Sequence, residues 1–435
     1  MLQHLPFDSF RSSRRRWLGS IAGATAGLSA SAWFRTLAQA TEGSRPKRSC
    51  ILLWMAGGPS QLDTFDVKPG HANAGPVQSI DTSVPGIQIS EHLPEVARQM
   101  DRLAIIRSMS TKEGDHGRAT DHLRTGYLPQ ASIQFPVLGS LVSHEHRETP
   151  RELPNYVSIF PRGLFRAGIA PSGFLGAEHA PLVVGGGDGE GRLAVENASV
   201  SKNVSADMHR DRLQLLRGLE SEFLSQHPGA GAESHLSAYT RGLKLMSPSA
   251  KEAFELDSES AAVKERYGAS QFGQGCLLAR RLVERRVPFV EVTLGGWDTH
   301  QDNFAAVKNL CAPLDRAWSA LMGDLAERGL LDSTLVVWMG EFGRTPTINP
   351  QTGRDHYPKA WSVVLGGGGI KGGQTVGRTS ADGMTVEDRK VTTPDLLATI
   401  CTAIGLDPRT QNISNVARPI RLVDPDGKAV EEVLA

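Results

Sequence analysis

The chain has 435 residues, 40% of them hydrophobic, so one large domain with a sizeable core is within reach. Its 47 basic and 47 acidic side chains cancel. With no basic stripe interleaved with aromatics, it lacks the electrostatic footprint of a nucleic-acid binder.

The amino terminus reads as a leader. Ser13-Arg14-Arg15-Arg16-Trp17-Leu18 precedes a mildly apolar run of small residues, Gly19 to Leu28, and Ala38-Gln39-Ala40 is a small-x-small cleavage signal. Paired arginines before weak hydrophobicity resemble a twin-arginine export signal over residues 1–40, with the twin-arginine translocase as partner during export. A Sec signal and an uncleaved anchor are the alternatives. Gly, Ser, Thr and Ala dilute the run too far for a stable membrane span in the mature form. The mature chain is thereby expected in the periplasm, at the cell envelope or outside the cell.

Residues 41–435 read as one α/β domain. Cys50–Met55, Leu103–Ile106, Val287–Leu294, Thr334–Met339 and Trp361–Leu365 are apolar runs of the kind that strands covered on both faces show. The stretch 163–203 is rich in Gly and Pro and predicts an irregular, loop-rich insertion. Helices are predicted around Leu213–Leu216 and over Gln271–Arg286. Phe304, Val307, Leu310, Leu314, Trp318, Leu321 and Leu325 form one helical stripe, and another helix opens at Thr393-Pro394-Asp395, with Thr393 as N-cap, and stops before Gly405. This alternation predicts a mostly parallel sheet with helices on both faces. Cys50, Cys276, Cys311 and Cys401 form no C-x-x-C pair, which excludes a zinc ribbon. The last three fall in predicted helices, where cysteine is usually a small buried hydrophobe, and spacing assigns no disulfide.

Candidate chemistry sits where loops leave the strands, the edge at which open α/β sheets bind ligands. Near the start, Gly57-Gly58-Pro59-Ser60-Gln61-Leu62-Asp63 permits close backbone approach; Ser60 or Asp63 faces the site, or Asp63 is a local cap. After the second strand, Asp115 and His116 offer metal ligands or an acid/base pair, and Arg118 an anion clamp. Later come Gly296-Trp297-Asp298-Thr299-His300, Gly340-Glu341-Phe342-Gly343-Arg344 and Gly353-Arg354-Asp355-His356-Tyr357. Acids and imidazoles converging from several loops suit a divalent metal such as zinc, calcium or manganese. Each has a plainer reading: Asp298 as a helix cap, Glu341 as a salt bridge to Arg344.

In order along the chain, G-G-P-S-Q-L-D-T-F-D, D-H-G-R-A, G-W-D-T-H, G-E-F-G-R-T-P, G-R-D-H-Y-P and L-G-G-G-G-I-K-G-G resemble the domain of unknown function 1501 family. That family is grouped with the alkaline phosphatase-like and sulfatase-like superfamily. The resemblance implies an α/β/α sandwich around a mixed, mainly parallel sheet, with metal ligands at strand ends. It implies metal roles for Asp298, His300, Glu341 and His356, with the position that Phe342 removes either lost or rebuilt from Asp302 or Asp355. Gly57 stands where many members carry Asp, so Asp63 or Asp66 would have to substitute. The Asp115-His116-Gly117-Arg118 stretch has no Cys or Ser for conversion to formylglycine, and Ser60, Ser110 and Thr111 stay open as nucleophiles. The leading expectation is an exported metal-dependent hydrolase of small-molecule or polysaccharide phosphate or sulfate esters, with Arg118 or Arg344 steadying the anion. The alternative is a catalytically inactive module that binds envelope or carbohydrate ligands.

Overall fold

The strand Ser49–Ala56 (β1) shows how this sequence builds two cores. Its side chains alternate: Ile51, Leu53 and Met55 point into one apolar layer, Cys50, Leu52 and Trp54 into the other. A strand apolar on both faces is stable only in the middle of a sheet covered twice. That is its position in the computed structural model, which describes residues 46–149, 151–161, 170–185, 193, 195, 204–227 and 230–435. The leader over 1–40 lies outside the described residues, as does most of 163–203.

Among the described residues seven more strands join the sheet: β2 (Leu103–Met109), β3 (Tyr156–Ile159), β4 (Leu182–Val184), β5 (Phe289–Gly295), β6 (Thr334–Met339), β7 (Trp361–Gly367) and β8 (Gln374–Val376). Their order is β8-β2-β7-β6-β1-β5-β3-β4. Only β7 runs against its neighbours β2 and β6; the other pairings are parallel. Helices Gln271–Glu284 and Asn303–Glu327 pack on the face of Ile51, and Leu138–Glu145 and Thr393–Ala403 on the face of Trp54. The expected α/β/α sandwich with a mixed, mainly parallel sheet is therefore what the chain forms.

Three details differ from the sequence reading. Within 163–203, Leu182–Val184 is an edge strand rather than loop. The last helix is capped by Thr392, one residue earlier than expected, in a reciprocal capping box with Asp395. All four cysteines are free and buried.

Candidate metal centre

Because β7 is reversed, its first residue, Trp361, sits beside Met109 at the end of β2. The loop that precedes β7 therefore joins the loops that follow β1, β2, β5 and β6 at one edge. This topology brings Gly57, His116, Asp298, His300, Glu341, Asp355 and His356 together from five places in the chain.

Three imidazoles surround one carboxylate oxygen. Asp298 Oδ1 lies 3.1 Å from His116 Nε2, 3.0 Å from His300 Nε2 and 3.3 Å from His356 Nε2. The other nitrogen of each ring is held by an acceptor. His116 Nδ1 donates to Glu341 Oε1 at 2.7 Å, His300 Nδ1 to Asp355 Oδ1 at 2.8 Å, and His356 Nδ1 to the Gly114 carbonyl at 2.8 Å. An oxygen that can only accept forces the hydrogen onto Nδ1, so each Nε2 presents its lone pair to the cluster. His300 Nε2 and His356 Nε2 face each other at 3.0 Å. Two lone pairs at that distance repel, and a positive charge shared between them relieves the repulsion. Buried polar atoms point the same way: His116 Nε2 and Glu341 Oε2 make no hydrogen bond.

This is the arrangement of metal-binding histidines, in which a carboxylate or carbonyl fixes the tautomer and raises ligand basicity. Asp298, His300 and His356 lie within 3.0–3.3 Å of one another through these atoms. His116, Asp298 and His356 likewise offer atoms within 4.8 Å of one another. The residues fit a dication. Nitrogen-rich donors suit zinc better than calcium, which takes oxygen ligands.

Charges around the cluster are pinned. Burial acts to raise the Asp298 carboxyl, but Arg344 and then His116 outweigh it and hold it at about 2. The hydrogen bond that His116 donates to Glu341 raises His116, while burial lowers His356. Arg344 is fully buried; it donates to Asp298 Oδ1, to the Gly57 and Gly58 carbonyls and to Arg354 O. With its donors so engaged, it positions Asp298 rather than facing a substrate.

Gly57 explains its own identity. Its φ is +113°, and a Cβ there would lie 2.4 Å from Asp298 N. Its N–H donates to Glu341 Oε1 at 2.9 Å. An aspartate has no room at this position, and the backbone itself takes part in the site. Phe342 is buried, with its ring 4.9 Å from that of His116 and 4.7 Å from that of His356. In place of a further ligand the chain has an aromatic support under two imidazoles.

Other sequence candidates stand apart from the cluster. Asp63 is fully buried and receives Arg354 Nε at 2.8 Å and Asn303 Nδ2 at 2.8 Å. Asp66 pairs with Lys68 at 2.9 Å. Asp115 caps the helix His116–Thr125 by accepting from Arg118 N at 3.0 Å. The Arg118 side chain is paired twice with Glu113 at 2.8 Å. Asp302 is the left-handed N-cap residue of the helix Asn303–Glu327 and makes no side-chain cap bond. Ser60 is buried, with Oγ unpartnered. Glu341 pairs with His116, and Arg344 with Asp298, in place of the Glu341–Arg344 bridge. The sequence reading missed Arg354, a neighbour of two candidates in its own motif; fully buried, it ties Asp63 to the Thr345, Pro346 and Asn73 carbonyls.

A cleft of about 660 Å³ opens beside the cluster. His116, Asp298 and Glu341 form its polar end, Trp54, Phe160 and Phe272 its apolar walls, and among the described residues no Arg or Lys lines it.

The chain belongs to the DUF1501 family of proteins of unknown function, whose model matches residues 47–434. No curated protein matches it. Among solved structures it is similar to the PsFucS1 sulfatase from Pseudoalteromonas sp., at 12% identity over 85% of this chain and 70% of that one, with a TM-score of 0.41. It is also similar to the phosphonate monoester hydrolase SpPMH from Silicibacter pomeroyi, at 11% identity over 89% and 76%, with a TM-score of 0.39. The C-terminal periplasmic domain of EcEptC from Escherichia coli, solved in complex with Zn, matches at 11% identity over 89% and 88%, with a TM-score of 0.38. At these identities the likeness stops at general architecture.

Proposed function

We propose that the chain is an exported, metal-dependent hydrolase of phosphate or sulfate esters. One observation carries the reading: histidine Nε2 atoms, with their Nδ1 partners fixed, converge on Asp298 Oδ1 beside an open cleft. Export rests on the twin-arginine pattern of residues 1–40. Asp298, His300 and His356 would hold the dication, leaving an open position for substrate as catalytic sites do. When bound, that ion supplies Lewis-acid polarisation of the ester oxygen and acidifies a water.

The remaining work falls to the chain's own groups. Asp355 and Gly114 O hold the His300 and His356 rings in register, and Arg344 fixes Asp298. His116 lines the cleft, and Glu341 raises its proton affinity. Once it takes up a second proton, at Nε2 and opposite the Nδ1–H held by Glu341, it is the acid that passes that proton to the departing ester oxygen. Ser60, Ser110 and Thr111 are absent from the cleft lining, so water attacks phosphorus or sulfur directly. The Trp54, Phe160 and Phe272 walls receive the organic part of the ester.

The non-catalytic alternative, a module binding envelope or carbohydrate ligands, draws on Phe342 in the place of a further ligand. Metal analysis of the purified mature chain, coupled to a panel of aryl phosphates and sulfates, separates the two. The hydrolase reading expects bound dication and turnover lost in Asp298→Ala. Metal without turnover on any ester establishes the binding module instead.

A further inference from the structure

A second cleft lies at the opposite end of β3. Leu153, Pro154 and Asn155 lead into that strand and line it, whereas Phe160, just past the strand, lines the cleft by the metal centre. Its volume is about 420 Å³, within the range of small-ligand sites. Arg147, Arg151, Arg241 and Lys244 line it against Glu152 and Glu178. Four cations facing two carboxylates leave a surplus of two positive charges.

The cations divide into fixed and available donors. Arg241 donates to the Ala177 and Ala180 carbonyls at 2.7 and 2.8 Å, and Arg151 to the Arg286 carbonyl at 3.1 Å. Carbonyls orient these guanidinium groups without neutralising them. Arg147 uses only Nη1, on His144, and Lys244 Nζ makes no hydrogen bond or ion pair among the described residues. At the base, His179 is 3% exposed. Its Nδ1 lies 3.2 Å from Ser143 Oγ, and its Nε2 makes no hydrogen bond, although Glu178 Oε1 is 3.1 Å away. With Ser143 as donor to Nδ1, Nε2 carries a hydrogen that makes no hydrogen bond, Glu178 Oε1 at 3.1 Å being its nearest charged neighbour. Burial first, then His144, Arg147 and Arg241, holds this ring neutral, as a site of excess positive potential should.

We propose that this cleft binds a doubly charged oxyanion, as a phosphate monoester or as free phosphate or sulfate. Arg147 and Lys244 close on the anion, Arg151 and Arg241 supply fixed counter-charge, and His179 Nε2–H donates from below.

Thermal unfolding of the full chain tests this, with sodium sulfate, sodium phosphate or glucose 6-phosphate against sodium chloride at matched ionic strength. Sulfate and phosphate also stabilise proteins by exclusion, without saturating, so the saturable part of the rise is the readout. It is expected in the wild type, and its midpoint should move at least about tenfold higher in Arg147→Gln/Lys244→Gln, whose two surface changes leave the ligand-free midpoint near its original value. A response to glucose 6-phosphate but not the free ions identifies the ester, and the reverse the free ion. Equal titrations in wild type and double variant overturn the proposal. So does loss of the saturable rise in Asp298→Ala, which would place the anion at the metal centre.

Discussion

Replacing Gly57 with Ala adds one methyl group at the point where the site has least room. The new Cβ would sit 2.4 Å from Asp298 N, 2.7 Å from Trp297 C and 2.9 Å from Trp297 N, all backbone atoms that no rotamer change can move aside. The φ of +113° is a further burden for any L side chain. A strained backbone costs about 1–3 kcal/mol and overpacking about as much again, so the loss should be roughly 2–6 kcal/mol. To restore ordinary contact distances the Trp297–Asp298 segment must retreat by roughly 1 Å, enough to break the 3.0 Å approach of Asp298 to His300. Zinc affinity should then fall about 10- to 100-fold, the usual cost of disturbing a ligand's support. Gly295→Ala is the control, since a Cβ there meets nothing within 4 Å. Urea unfolding gives the stability change and competition with a chromophoric chelator the affinity. If Gly57→Ala matched Gly295→Ala in both, the close packing of the first loop against Asp298 would be refuted.

Arg354→Met leaves the Asp63 carboxylate fully buried with only Asn303 beside it, and should cost about 3–5 kcal/mol in urea unfolding. Adding Asp63→Asn should recover part of that loss, and strictly additive effects would argue against the pair. His146 and His179, both lowered to about 4 chiefly by burial, are neutral in the fold and take up protons first when unfolded. Their contribution is therefore complete above about pH 6.5 and is lost as pH falls from 6.5 toward 4, by up to about 3 kcal/mol each. Unfolding midpoints that stay flat across that window would contradict their burial. The thiols should resist modification in the native protein and all react in denaturant, because each is free and buried and burial pushes Cys401 up to about 12. Fewer than four thiols on denaturation would reveal a disulfide.

The central strands were legible because double coverage demands unbroken apolar runs, and Thr334–Met339 begins and ends where its sequence reads. Tyr156–Ile159, Leu182–Val184 and Gln374–Val376 were not, since three or four residues carry too little periodicity to separate strand from loop. Nor does composition reveal that β7 is reversed, although this reversal delivers His356 to the same edge as Asp298. Residue types at strand ends pointed to Asp298, His300, Asp355 and His356, which meet, and equally to Asp63 and Asp115, which do not. They could not say which would face inward as donors and which would hold another ring. Glu341 and Asp355 read as ligands from their motifs, yet both contact a histidine Nδ1, whereas His116, distant in sequence, reaches Asp298. Gly57 and Phe342 read as departures from a pattern, and their contacts supply the physical reason for each.

The most direct test of the account is metal content after reconstitution and dialysis, measured in the wild type, Asp298→Ala, His300→Ala, His356→Ala and His116→Ala. The account predicts about one zinc or manganese per chain in the wild type, less than about a tenth of that in the first three variants, and near-full content in His116→Ala, with ester turnover lost in all four. A wild type that holds no stoichiometric dication, or full metal retention in both His300→Ala and His356→Ala, would contradict it.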